Sequence, residues 1–507
     1  MAGIGFSLRK LFDKKGIFNL CRAYGYAGII STGPMLLGIA LLGSVSFAAR
    51  IGGMDSHSRE LLNCMLTYSL LASLTITSWF NMGVTRFVSD MLYEEKNEKV
   101  IPSFYGSTAI MLAICTVFYG IFLHFSGVSL LYQLLCLWYS LVLIVVWNEM
   151  IYLTAVKDYK AIVLSFCISL MVGFLLVLIA ILLGFVSIEV FMLAIIAAYG
   201  LLMCRYLNVL LDDFPTQKGS NFSFLAWMDR YRPLVITGGM LNIGLFSHMI
   251  IMYFGPLKVQ VEGLFYGAPQ YDVPALFAFF SLLITTINFI TSVEVRFYPK
   301  YRNYYGLFND RGSIKDIKQA EDEMLAVLRQ ELGYAGHKQL FTTILFIVIA
   351  PPVLEALPLG FSALSSDIFR FLCIGYGTYA IANSMMLILL YFEDYTSAVI
   401  GASLFGVIST AATIWQILYG SWNYYGVGFF AGAIVFYVVS VIGLGHRTKK
   451  LPYYLLAKQS ILPRKEKGPL VFIAVKLDQR QERKEAERQR RLQERVQQFA
   501  EDKGIVP

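Results

Sequence analysis

The sequence predicts an all-α membrane protein with about twelve transmembrane helices, on three observations. Hydrophobic residues form 57% of the 507 positions and the mean hydropathy is +0.61, whereas about 45–50% apolar residues is usual for a soluble domain. The apolar residues occur in uncharged runs of roughly twenty or more, the length that crosses about 30 Å of hydrocarbon. Basic residues concentrate in alternate connections between those runs.

The positions of the spans follow from the apolar runs. They are 24–49, 62–85, 104–125, 130–155, 161–184, 187–208, 233–254, 273–295, 339–357, 369–392, 396–419 and 426–445. Cytoplasmic connections retain positive charge, and with the N-terminus inside, only Arg50, Arg59, Lys258 and Arg370 of the 42 basic residues fall outside. This asymmetry predicts an even number of spans in the cytoplasmic (inner) membrane, with both termini in the cytoplasm.

The spans and their connections predict a chain of two bundles with basic flanking segments. The segments are an amphipathic N-terminal piece at 1–23, a first six-span bundle at 24–210, a cytoplasmic linker at 211–232, a second six-span bundle at 233–446 and a basic cytoplasmic tail at 447–507. An amphipathic helix at about 313–335 is expected within the second bundle, either on the membrane or a partner or as a packed connector. The tail is expected to be a solvated charged helix that could bind acidic lipid or another subunit, and nucleic acid is not expected as a partner.

A weak internal repeat relates the two bundles. The chain reads TGPML at 32–36 and TGGML at 237–241, and VTRF at 84–87 resembles EVRF at 294–297. Two halves with the same topology are a known build of transporters, with the substrate path between them. In that case Gly33, Pro34, Gly238 and Gly239 would let the first and seventh spans bend, although Gly and Pro are also simply more frequent in membrane helices.

Polar groups inside the predicted spans are the candidate functional residues. An ionisable group in a membrane costs about 2.5–3.5 kcal/mol on insertion scales and by default marks a function. Glu149 is the most deeply placed acid, with either a role in proton coupling or substrate contact or a structural hydrogen bond. The candidates for the substrate path are Asn81, Asn148, Glu149, Asn242, His248, Asn288 and Asn383.

Three charged residues lie at the predicted inner ends of spans. They are Arg86, Glu294 and Arg296, which are either a cytoplasmic gate or an ordinary interfacial ion pair. Amides could equally be hydrogen-bonding contacts between helices.

No pattern of an enzyme site occurs in the sequence. The chain has no GxxxxGK[ST], HExxH or GxSxG pattern and no clustered Cys and His residues. The seven cysteines form no CxxC pair and are expected to be small buried hydrophobes. Neither catalytic residues, nor a metal, nor a cofactor is therefore predicted.

Several runs resemble one known family. They are MAGIGFSLRKL at 1–11, RAYGYAG at 22–28, STGP at 31–34, TRFVSDMLY at 85–93 and LTAVKDYKAI at 153–162. They resemble the PelG family, inner-membrane transporters of the Pel exopolysaccharide, over about residues 1–450. The tail beyond is longer than the family leads us to expect.

The resemblance implies a fold of the flippase superfamily that also contains multidrug antiporters and lipid-linked oligosaccharide flippases. It implies partners as well: a cytoplasmic glycosyltransferase similar to PelF, which extends a GalNAc-rich polysaccharide, and accessory membrane proteins similar to PelD and PelE that respond to cyclic di-GMP. Membrane lipid and the polymer complete the expected partners. Two alternatives of the same superfamily remain open: an ion-coupled multidrug antiporter and a lipid-linked oligosaccharide flippase. A membrane-embedded transferase would need a convergent cluster of acids or histidines, and the scattered residues argue against it.

Overall fold

The computed structural model describes most of the chain between residues 43 and 480. The described ranges are 43–156, 159–215, 219–309, 312–356, 361–457 and 468–480, together with residues 28, 38, 41 and 483. The predicted N-terminal piece at 1–23 and most of the span at 24–49 lie outside them, and so do Gly33 and Pro34. Residues 43–51, at the end of that span, are helical.

The described chain is almost entirely helical. The helices are α1 (Ser56–Tyr93), α2 (Val100–Phe125), α3 (Leu130–Val156), α4 (Tyr159–Leu182), α5 (Ile188–Asp213), α6 (Phe224–Arg230), α7 (Arg232–Met252), α8 (Pro269–Thr291), α9 (Tyr298–Asn309), α10 (Ile314–Ala356), α11 (Ala363–Tyr391), α12 (Tyr395–Tyr419), α13 (Val427–Lys449) and α14 (Leu451–Ala457). A π-helical turn, Ser292–Phe297, joins α8 to α9. Two short strands, β1 (Val259–Glu262) and β2 (Phe265–Gly267), form an antiparallel hairpin between α7 and α8.

Eleven of these helices, within the described residues, are long and apolar enough to cross a membrane. They coincide with the eleven predicted spans from 62–85 to 426–445, so the all-α membrane fold is confirmed. Several helices begin at a side-chain cap, where a carboxylate or hydroxyl accepts from a free backbone N–H. Asp55 accepts from the Ser58 N–H at 3.0 Å, and this bond lowers the pKa of the Asp55 carboxyl.

The structure joins two elements that the sequence predicted separately. The expected amphipathic helix at 313–335 and the span at 339–357 are both parts of α10, which has 43 residues. Gly336, between them, costs about 1 kcal/mol in a helix, which does not interrupt it. At 1.5 Å per residue α10 is about 64 Å long, roughly twice the hydrocarbon thickness. Its first half packs through Ala320, Met324 and Leu328 in a core shared with α9.

The apolar side chains form two large cores along the chain. One core is built by α1 to α6, and the other by α7, α8 and α10 to α13. Two residues lie in the core of the opposite half: Leu71 of α1 in the second core and Phe265 of the hairpin in the first. Ala474 of the tail also lies in the first core. The two halves are therefore separately packed but interlocked.

Helices α1 and α7 cross in close contact at two glycines of α7, and this crossing is a principal contact between the halves. A Cβ atom on Gly238 would lie 2.4 Å from the carbonyl oxygen of Ser78, and one on Gly239 would lie 2.4 Å from the ring of Trp79. Helix α7 continues without interruption through both glycines. The structure thus gives Gly238 and Gly239 a role in close approach, and bending at these glycines stays a prediction.

Candidate functional site

The two ends of the molecule differ in charge. The connections α1–α2, α5–α7 and α8–α10 and the helical residues 469–480 lie at one end. In the sequence, most of the Lys and Arg residues belong to the segments predicted on this side. We call it the basic end. The hairpin and the short connections α2–α3, α4–α5 and α12–α13 lie at the opposite end.

At the basic end an ion-pair cluster spans the two halves. The Arg86 guanidinium of α1 lies with Nε 3.1 Å from Oδ1 of Asp90 and with Nη2 3.7 Å from Oε1 of Glu393, in the turn between α11 and α12. It also lies over the ring of Tyr231, 5.1 Å from its centroid. The indole of Trp227 donates to Oδ2 of Asp90 at 2.9 Å. We call these five residues the basic-end contact.

Solvent weakens the link between Arg86 and Glu393. Their side chains are 33% and 55% exposed, and exposed ion pairs contribute about 0–1 kcal/mol. Glu393 has a φ of +55°, a backbone conformation that residues other than glycine adopt at an energetic cost. The ion pair between Arg86 and Glu393 is therefore expected to be weak, and a gate at the basic-end contact stays a prediction.

We expect a small, salt-sensitive coupling energy between Arg86 and Glu393. In a double-mutant cycle of Arg86→Gln and Glu393→Gln, measured by thermal unfolding, the coupling energy should be at most about 1 kcal/mol and smaller at high salt. The pair Arg370 and Asp367, 3.4 Å apart within α11, is the control that does not join the halves. A coupling of several kcal/mol would mean a permanent bridge and would exclude a gate here.

The equivalent arginine of the second half makes a different contact. Nη1 of Arg296, in the π-helical turn, donates to Oε1 of Glu331 of α10 at 2.6 Å, and the Glu331 side chain is buried. This pair ties two elements of one half together, whereas Arg86 reaches across. The side chain of Glu294 lies outside the part of the chain that the structure describes.

Asn148 and Glu149, neighbours on α3, differ in their hydrogen bonds. The Asn148 amide is buried and donates to the hydroxyls of Ser107 and Thr108 of α2, at 2.9 and 2.8 Å. Glu149 is also fully buried, but neither carboxylate oxygen has a hydrogen-bond partner within the described residues. Asn148 is thus a contact between helices, and Glu149 is the acid that packing does not explain.

His248 belongs to a buried aromatic cluster in the second half. Its Nδ1 is hydrogen-bonded to the hydroxyl of Tyr271 at 2.7 Å, and its Nε2 lies 3.4 Å from the hydroxyl of Tyr376. The ring of Phe429 packs on it with centroids 4.5 Å apart. His248 is therefore held on both nitrogens as part of the core of that half.

Of the remaining amides, two lie beside the crossing and one belongs to a polar cluster in the second half. Asn81 is exposed on α1 one turn beyond Ser78, and Asn242 is half-buried on α7 one turn beyond Gly239, so they flank the crossing of the halves. Asn288 of α8 accepts from Nζ of Lys338 at 2.9 Å. Asn383 of α11 is half-buried.

Lys338 and Gln339 of α10 were missed by sequence reasoning, as was Thr285 of α8. The Thr285 hydroxyl donates to the buried Gln339 side chain, whose Nε2 donates to Thr343 at 3.1 Å. A signal was present, since Lys338 lies directly before the predicted span at 339–357 and Gln339 is its first residue.

At the opposite end the hairpin of the second half is anchored in the first half. The Tyr68 hydroxyl donates to the carbonyl of Tyr266 at 2.9 Å and accepts from its N–H at 3.1 Å. The N–H of Leu264 donates to the carbonyl of Ser126 at 2.7 Å. Phe265, fully buried, packs on the ring of Tyr68 with centroids 5.0 Å apart. We call this the hairpin contact, and the sequence did not predict it.

The halves are thus joined at three levels: the basic-end contact, the crossing of α1 and α7, and the hairpin contact. The predicted path residues do not form one cluster. Asn148 and Glu149 lie in the first half and His248 in the second, while Asn81 and Asn242 flank the surface between them. Within the described ranges no group of three or more His, Cys, Asp or Glu residues could hold a metal ion.

Solved structures with a similar fold are membrane transporters of one superfamily. The Vibrio cholerae MATE transporter VcmN in its bent form superposes with a TM-score of 0.56 and 13% identity, covering 85% of this chain and 99% of that one. An inward-facing multidrug resistance MATE transporter of the MOP superfamily gives 0.52 and 12%, covering 85% and 100%. A MOP superfamily transporter from Pyrococcus furiosus gives 0.50 and 14%, covering 84% and 96%. At these identities the likeness shows the fold alone.

The comparison with protein families identifies the chain more specifically than the comparison of folds. No curated protein matches the chain in sequence. The family model of PelG, named as an exopolysaccharide exporter (EPS-E), matches residues 1–456 of the 507. That match includes both halves, the basic-end contact and the hairpin contact. The chain therefore belongs to the PelG family.

Proposed function

We propose that this chain exports a Pel-type, GalNAc-rich exopolysaccharide across the cytoplasmic membrane, together with a cytoplasmic glycosyltransferase similar to PelF. The family match over residues 1–456 carries the proposal. The basic end faces the cytoplasm, because cytoplasmic connections retain Lys and Arg. Both termini then lie on the side where the polymer is made, and accessory proteins similar to PelD and PelE would join the complex there.

The path in this proposal runs between the halves, beside α1 and α7. Asn81 and Asn242 flank the crossing of these helices, and amides can hydrogen-bond to sugar hydroxyls. The basic-end contact would open to admit the polymer and the hairpin contact would open to release it. Glycosidic bonds are neither made nor broken by this chain in the proposal.

Deletion of the gene from a polymer-producing strain tests the proposal. Secreted polymer should disappear, while glycosyltransferase activity in cell extracts should remain. Complementation with the full chain should restore secretion. Unchanged secretion in the deletion strain, with the glycosyltransferase still active, would contradict an exporter.

A second candidate, an ion-coupled antiporter of small cations, is favoured by one observation. Glu149 is a fully buried acid without a hydrogen-bond partner among the described residues, and such acids by default mark a function in membranes. In vesicles with an imposed pH gradient, this candidate expects efflux of a cationic dye that Glu149→Gln abolishes. Gln is close to Glu in shape, so the fold of Glu149→Gln should persist. Asn148→Asp would be a poor control, because it removes the hydrogen bonds that the Asn148 amide donates to α2.

The exporter proposal expects a different result in the same vesicles. No pH-driven dye efflux should occur even with the unmodified chain. A lipid-linked oligosaccharide flippase, the third candidate, would instead translocate lipid-bound sugar in vesicles that contain no glycosyltransferase. Each outcome selects one of the three candidates.

A further inference from the structure

A helix beyond the family match packs on the connection between the halves. The match ends at residue 456, and residues 469–480 form a helix that we call the tail helix. It lies against the connection between α5 and α7. Because α5 ends at Asp213 and α7 begins at Arg232, this connection is at the level where two spans leave the membrane on the basic end.

The inner face of the tail helix is fully occupied by this contact. The N–H of Val471 donates to Oδ2 of Asp229 at 2.9 Å, and the hydroxyl of Ser220 donates to Oδ1 of Asp478 at 2.5 Å. Between these two bonds, Ala474 is 5% exposed and lies in the core of the first half. The tail helix is therefore bound along its length, at both ends by polar groups and in the middle by apolar packing.

Asp229 connects the tail helix to the second half as well. Its side chain is only 2% exposed, and its Oδ1 accepts from Nη2 of Arg232 at 2.9 Å, in the first turn of α7. Gly468 approaches the same carboxylate so closely that a Cβ would lie 2.2 Å from Oδ2. One buried carboxylate thus holds the start of the tail helix, α6 and the start of α7 together.

The outer face of the tail helix is exposed and carries large apolar side chains. Phe472 is 70% exposed and Val475 is 49% exposed, and Lys476 beside them is exposed too. Residues three and four apart share one face of a helix, so these side chains and exposed Gln479 form one stripe, with exposed Arg480 at its edge. The stripe is amphipathic, with apolar Phe472 and Val475 beside polar and basic residues, as on a helix that lies at a membrane surface.

We propose that this outer face binds the anionic surface of the membrane and so ties the connection between the halves to the lipid. Phe472 and Val475 would enter the boundary between head groups and acyl chains, and Lys476 and Arg480 would lie at anionic head groups. The sign of the charge fits, since residues 446–507 carry 16 basic and 8 acidic residues, equal to the net charge of +8 of the whole chain. The neighbouring ends of α5 and α7 fix the depth of this face relative to the membrane.

An environment-sensitive fluorophore tests the proposal on the full chain. With the seven native cysteines replaced, Phe472→Cys is labelled with NBD in nanodiscs of phosphatidylcholine alone or mixed with phosphatidylglycerol. We expect a blue shift and an increase in emission on the order of two-fold in the anionic mixture, reversed by high salt. The control is Glu98→Cys, exposed in the turn between α1 and α2, which should not respond. Equal emission of both labels in both lipids would overturn the proposal and indicate a protein partner or water at this face.

A charge reversal in the native cysteine background provides an independent test. The unmodified chain should unfold at a higher temperature in the anionic nanodiscs than in phosphatidylcholine. The double variant Lys476→Glu and Arg480→Glu should lose that increase, whereas Arg302→Glu, a charge reversal at an exposed position of α9, should largely keep it. The same increase in all three chains would contradict the proposal. Neither measurement depends on export, so failure here leaves the proposed function unaffected.

Discussion

Replacing Gly239 by alanine should lower the stability of the assembled halves and abolish export. The added Cβ would lie 2.4 Å from the ring of Trp79, and a rigid indole can retreat only if α1 moves away from α7. Overpacking of this kind costs about 1–3 kcal/mol. Thermal unfolding in detergent measures the loss of stability, and secreted polymer measures the loss of export.

Two further variants identify the crossing as the cause. A Cβ on Gly200 of α5 would meet nothing within 4 Å, so Gly200→Ala should be neutral or slightly stabilising, because alanine favours the helix by about 1 kcal/mol. Trp79→Ala should relieve the overlap. The double variant of Trp79→Ala and Gly239→Ala should therefore lose less stability than the sum of the losses of the two single variants. Strict additivity of the two changes would show that they do not meet at the crossing.

Replacing Phe265 by alanine should release the hairpin from the first half. Phe265 is completely buried against Tyr68 and Phe122, and removal of a buried phenylalanine side chain costs about 3–5 kcal/mol. Cys64 reports on the release, since it is buried in α1 with its Sγ 3.9 Å from the position of a Cβ on Gly267. We expect faster reaction of Cys64 with a maleimide in the variant.

The neighbouring Leu264 is the matched control for this change. It belongs to the same hairpin but its side chain is 41% exposed, so Leu264→Ala should change neither the unfolding temperature nor the reaction of Cys64 to a comparable extent. Similar effects of both variants would contradict a special role of the buried Phe265 side chain in the hairpin contact.

The spans could be predicted from the sequence because each depends on a local property. A run of apolar residues long enough to cross the membrane is visible without knowledge of its neighbours, and eleven predicted spans are confirmed in the described part of the chain. The separation of α10 into two elements was wrong for a local reason as well. A change from amphipathic to apolar composition at residues 336–338 was interpreted as a break, although nothing there stops a helix.

The contacts between the halves could not be predicted, because they depend on residues far apart in the sequence. Arg86 was identified as a gate candidate, but its partner Glu393 lies in a turn some three hundred positions later. Likewise the glycines at 238 and 239 suggested a bend, since the sequence does not show that Ser78 and Trp79 lie against them. The hairpin contact has the same origin, because Phe265 is one apolar residue in a short loop until its place among Tyr68 and Phe122 is known.

Sequence reasoning also could not show which polar groups make side-chain hydrogen bonds to neighbouring helices. Asn148, Glu149 and His248 are all polar residues inside predicted spans, and all three are fully buried. Only their neighbours separate them. Asn148 donates to two hydroxyls and His248 is bound on both nitrogens, whereas the carboxyl oxygens of Glu149 have no such partner in the described structure.

Photo-crosslinking of the growing polymer tests the path between the halves most directly. Benzoylphenylalanine is introduced at Asn81 of α1, at Asn242 of α7 or at Phe118 of α2, which is 70% exposed on the outer surface of the first half. Inverted vesicles that contain the chain and its glycosyltransferase are supplied with radiolabelled UDP-GalNAc and irradiated. The proposed export path predicts labelled polymer on the chain from positions 81 and 242 but not from 118. No label at 81 and 242 while polymer enters the vesicles, or equal label at all three positions, would contradict it.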